Sequence, residues 1–147
     1  MFRLRICLII ALVAGATPVA TAADYTVPTG VTILTEEQLL TQVIGSTFMG
    51  KDGDMGETRW VEYYEPPTGD LKKGRIKGNL ETWGLYNSVW TINGAQMCWH
   101  HGRPDWPGGC FTIALDGDTA TRYKANGEIK YERGYIIKLV PGNSENR

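Results

Sequence analysis

From Thr47 onward, apolar and polar residues alternate in short runs broken by Gly, Asn-Gly and Asp-Gly. This is the period-2 pattern of strands with one buried face. The runs fall at 47–51, 58–65, 71–76, 79–83, 86–92, 95–101, 111–115, 119–124, 128–131 and 135–140. One segment keeps a helical period instead, with Leu39, Leu40, Val43 and Ile44 on a single stripe. Thr35 followed by Gln38 forms a capping box, Leu34 and Leu39 a hydrophobic staple, and Gly45 supplies the stop. Glu36 and Glu37 suit the positive end of the helix dipole. An irregular arm, 23–33, precedes this helix, a single β-rich domain spans 34–140, and the tail 141–147 is frayed. The predicted fold is α+β and mostly β: an antiparallel meander curled into a small barrel or half-barrel, with one short N-terminal helix.

The Asn93-Gly94 turn assigns side-chain directions. A two-residue loop pairs Ile92 with Ala95 and places Tyr86, Ser88, Trp90, Ile92, Ala95, Met97, Trp99 and His101 on the core face. Asn87, Val89, Thr91, Gln96, Cys98 and His100 face the other way. In the next run Phe111, Ile113 and Leu115 alternate with Cys110, so both cysteines fall outside the core face.

The leader changes how those cysteines are read. Arg3 and Arg5, the apolar run 6–14 and Ala20-Thr21-Ala22 form a signal peptide over 1–22, too short and wrongly flanked for a membrane span. Cleavage removes Cys7 and leaves 125 residues, with 13 Lys and Arg against 16 acids, a net charge of −3. That balance carries no nucleic-acid or acidic-membrane footprint. The expected location is periplasmic or secreted, where Cys98 and Cys110 form a disulfide.

Candidate chemistry concentrates in MCWHHGRPDWPGGC, residues 97–110, which hold both histidines. His100 and His101 point to opposite faces and do not chelate one ion together. His101 is expected at the mouth of the core face beside Tyr86, with Trp99 deeper, a place for an apolar small molecule. Arg103, Asp105 and Trp106 ride on the stapled loop, and of the five tryptophans at least one is expected to be partly exposed, Trp106 being the best candidate, the alternative being that it folds back as a lid over the core. A loop of that kind resembles a recognition tip for an envelope protein, inhibition of an envelope hydrolase being one version. The leading expectation is therefore a non-enzymatic ligand- or partner-binding domain, with no cofactor or metal assigned. The alternatives are a haem- or metal-handling protein using His101 and, third, an enzyme using Glu62 or His101. Glu62 and Glu65 are three apart on a strand, face opposite ways, and read as a solvated strand edge. KDGDMGE lacks the oxygens and glutamate spacing of an EF-hand, and there is no serine elbow, P-loop or dinucleotide fingerprint.

The order of LTEEQLLTQVIGSTF, then RWVEYYEPPTGDLKKG, then a W-x-I-N-G hairpin leading into MCW, with a second cysteine beyond it, resembles a group of small uncharacterised secreted (periplasmic) proteins of Gram-negative bacteria. The resemblance runs over 34–115 and leaves out the last two strands and the tail. It implies the fold and export and brings over no functional residue.

Overall fold

The computed structural model describes residues 25–52, 58–102, 108–129 and 137–144. Eight antiparallel strands form a closed barrel in sequence order. They are β1 (Ser46–Asp52), β2 (Thr58–Tyr64), β3 (Lys73–Leu80), β4 (Gly84–Asn93), β5 (Gln96–His100), β6 (Gly109–Asp116), β7 (Thr119–Tyr123) and β8 (Ile137–Pro141), and β8 returns to pair with β1. Of the two predicted shapes, barrel and half-barrel, the barrel is the one formed.

The helix starts as its capping box dictates. Thr35 Oγ1 accepts from Gln38 N at 3.2 Å, and Gln38 Oε1 accepts from Thr35 N at 2.9 Å. After α1 (Glu36–Gln38) the next turn, Leu39–Val43, widens into a π-helix closed by Ile44 N donating to Leu39 O at 3.1 Å. Leu39 and Val43 are fully buried members of the core, so the helix sits at the barrel end where β1 begins.

Three sequence expectations need correction. Runs 71–76 and 79–83 merge into one strand, β3 over 73–80, with 71–72 and 81–83 in turns, because Gly78 does not break it. Gly78 instead lies beneath the Tyr86 ring, and a Cβ there would fall 2.1 Å from Tyr86 Cζ. Gly74 under Trp90 and Gly50 under Trp60 repeat the arrangement, a large ring lying flat over the glycine directly across the ladder. Second, the β4–β5 turn is centred on Gly94 and Ala95, so Ile92 faces Met97 rather than Ala95. Gly94 takes the left-handed position with φ 57°. The faces survive this shift because pairing moves by one residue on each strand. Third, of the run 128–131, Ile129 makes a single bridge to Tyr123, and 130–131 lie outside the described residues.

Inside, Phe48, Tyr64, Ile76, Leu80, Trp90, Met97 and Ile113 are fully buried and fill the barrel. Cys98 and Cys110 are cross-strand partners joined by a disulfide, with Cα atoms 3.9 Å apart. Their neighbour Gln96, expected to be exposed, is buried. So are the outward-facing Thr112 and Tyr123. The N-terminal arm is tied down in this region, Thr26 N donating to Ala125 O and Leu34 N to Ile113 O, both at 2.7 Å.

Candidate functional site

The helix occupies one end of the barrel, and the other end is reached by the last residues of β1, β3, β5 and β7. The interior toward that second end holds a polar cluster among apolar side chains. Glu62, expected on a solvated edge, points inward between Trp60 and Tyr64, its side chain only 6 % exposed. The alternation that separates Glu62 from Glu65 holds, but its inner set is the one lining the barrel. Glu65 stays near the surface, pairing with Arg75 at 2.8 Å and Lys77 at 2.9 Å.

Buried charge is tolerated only when it is paired and hydrogen-bonded. Glu62 meets that condition through Tyr64, Tyr86 and Arg122. Tyr64 OH donates to Oε2 at 2.8 Å, and Tyr86 OH reaches across the gap left by Gly78 to donate to Oε1 at 2.7 Å. Arg122 Nη2 lies 3.4 Å from Oε2 and also 3.4 Å from Tyr64 OH, which in turn accepts the indole N–H of Trp99. The Arg122 side chain is 3 % exposed, and its guanidinium lies 4.4 to 4.8 Å from the ring centres of Trp99, Phe48 and Trp60. Three ring faces replace part of the water such a cation gives up.

The electrostatics fix proton positions. Burial, and then the Glu62 charge, push the Tyr64 and Tyr86 hydroxyls well above the ordinary phenol range. Both therefore remain donors at neutral pH, and both are aimed at the Glu62 carboxylate.

Of the residues singled out from sequence, Tyr86 and Trp99 join this cluster directly. His101 sits at its rim, half-buried, with its ring edge-on to Tyr86 at 6.0 Å between centroids. His100 is exposed, and its Nε2 is 2.9 Å from Thr91 Oγ1. Arg103, Asp105 and Trp106 lie outside the described residues, as does the signal-peptide segment 1–22. Among the described residues no three His, Cys, Asp or Glu side chains converge as metal ligands, and no helix is long and apolar enough to cross a membrane. Arg122 escaped the sequence reading altogether. Its signal was phase, since it shares the inward parity of Ala120, but cations are ordinarily assigned to the outside.

Among the described residues an exposed aromatic at this end is Trp83, in the β3–β4 turn, at 51 % exposure, with Leu85 beside it at 78 %. The turn is held rigid: Glu81 Oε2 accepts from Arg59 N at 3.1 Å, and Trp83 N donates to Leu80 O at 2.9 Å. Comparison with protein-family models, curated proteins and solved structures returns no match for this chain.

Proposed function

We propose that this protein is a non-enzymatic binding domain that recognises a protein of the cell envelope through the barrel end opposite its helix. The observation that carries the reading is the Trp83–Leu85 corner: two large apolar side chains, 51 % and 78 % exposed, on a turn locked by its own hydrogen bonds. Exposed aromatics on preorganised turns are typical binding anchors, because little side-chain or backbone freedom is lost on docking. The packed interior supports partner recognition over carriage of an apolar molecule inside the barrel, and the hold of two phenols and Arg122 on the Glu62 carboxylate supports a non-catalytic role. The Cys98–Cys110 disulfide is compatible with an extracellular location.

The test is a photo-cross-linking amino acid at position 83, compared with one at Glu37 on the exposed side of the helix, in cells making the protein. A discrete cross-linked protein is expected from position 83 and not from 37. It should disappear in a Leu85→Ser background that melts like the parent. The same species from both positions, or none from 83, overturns the reading.

A further inference from the structure

The whole-chain charge conceals a local concentration of cations. The segment 71–77 is Leu-Lys-Lys-Gly-Arg-Ile-Lys, and in β3 the alternation sends Lys73, Arg75 and Lys77 outward while Gly74 and Ile76 face the core. Carboxylates engage most of these cations. Lys72 pairs with Glu36 at 2.6 Å, and Arg75 and Lys77 share Glu65. Lys73 has no carboxylate partner among the described residues and is exposed.

Beside Lys73 lies a groove of about 250 Å³, at the opposite end of β3 from Trp83. Lys73 and Arg75 supply its positive charge, Val89 an apolar patch, and Thr68 and Gly69 a hydroxyl and a backbone edge. Asp70 also lines the groove, and its negative charge offsets part of that of the two cations; its Oδ1 accepts from Lys72 N at 2.9 Å and its carbonyl from Lys73 N at 3.1 Å. Leu71, on that same turn, is 70 % exposed. A groove whose two cations outnumber its one carboxylate, flanked by an exposed apolar side chain, matches the chemistry of a bilayer surface. There, phosphates and acyl chains lie within one side chain's length of each other.

We infer that this corner docks on an anionic phospholipid surface, with a lipid phosphodiester in the groove between Lys73 and Arg75 and Leu71 entering the acyl boundary. The site is remote from the Trp83 corner and does not depend on the function proposed for it. A protein held this way lies on the membrane without spanning it, and its attachment weakens as salt screens the two cations.

The experiment is co-sedimentation of the full protein with vesicles of phosphatidylcholine and phosphatidylglycerol in equal parts, against vesicles of phosphatidylcholine alone. Binding to the first and not the second is expected. The double substitution Lys73→Ala with Arg75→Ala should weaken it about tenfold or more, at roughly fivefold per surface cation. Leu71→Ser should weaken it independently. All these side chains are exposed, so melting temperatures should stay at the parent value. Absence of binding to the anionic vesicles overturns the inference, as does binding indifferent to the Lys73 and Arg75 changes. Displacement by soluble glycerol phosphate, together with indifference to Leu71→Ser, would mark the groove as a site for a free phosphate ester and overturn membrane docking.

Discussion

Replacing Arg122 by Met tests whether the barrel depends on its buried charge cluster. At 3.4 Å and an effective dielectric of about 20, the Glu62–Arg122 attraction is worth roughly 5 kcal/mol. Removing each ion from water costs several kcal/mol, so the intact pair comes close to breaking even. Losing one partner is a different matter. With Arg122→Met, Glu62 keeps two phenol donors but loses its cation, and the loss should be about 3–5 kcal/mol, a large share of the ~5–15 kcal/mol that holds a domain this size. Glu62→Gln should cost a comparable amount, since the guanidinium loses its counter-charge. The double variant has no net charge left in the cluster, and the amide introduced by Glu62→Gln still offers an oxygen to one tyrosine. Its cost should fall short of the sum of the singles by about 2 kcal/mol or more. Urea unfolding of the four proteins in a double-mutant cycle measures this, with unchanged m-values as the check on two-state behaviour. Additivity within ~0.5 kcal/mol, or an Arg122→Met variant as stable as the parent, would refute the reasoning.

Gly78→Ala should destabilise by about 1–3 kcal/mol or more, because the added methyl displaces the Tyr86 ring and with it the hydrogen bond to Glu62. Gly69→Ala, with open space at the same position, serves as the control and should melt like the parent. Alkaline pH gives a second check. The folded-state pKa values of Tyr64 and Tyr86 are raised, chiefly by burial and then by Glu62, so their contribution is complete below the unfolded phenol value near 10 and is lost as pH rises above it. The loss should be ~1.4 kcal/mol per pH unit for each tyrosine, and Tyr86→Phe should reduce the slope by one tyrosine's share. An unchanged slope in that variant would show that Tyr86 ionises normally in the fold.

What the sequence made legible was whatever depends on nearest neighbours. The Thr35–Gln38 box, the faces around the Gly94 turn and the outward pair Cys98–Cys110 all follow from local phase and spacing. The polar interior depends instead on which strands meet across the barrel. Glu62 and Arg122 are 60 residues apart in sequence. Each looks like a surface residue until closure brings them together, and a one-strand view assigns a lone carboxylate to solvent. Gly78 misled for a related reason: in one dimension a glycine in a strand is a break, and only the partner strand shows the ring that needs the space. Gln96 looked exposed because local alternation places it on the outer face, and its burial depends on contacts beyond its own hairpin.

Closure also sets a timetable. Each of the first seven ladders joins neighbours in sequence, whereas the β1–β8 ladder joins Ser46 to Pro141 and Thr47 to Val140 across nearly the whole domain. While the chain is emerging from a ribosome or a translocation pore, β1 therefore has an unpaired hydrogen-bonding edge until residues 137–141 arrive. Among the described residues the preceding seam pairs Thr119 with Lys138 and Ala120 with Ile137. A chain cut short before Ile137 would present two open strand edges to its neighbours, which is the condition for pairing between molecules rather than within one. The last strand thus protects the nascent protein from its own kind as much as it stabilises the finished one.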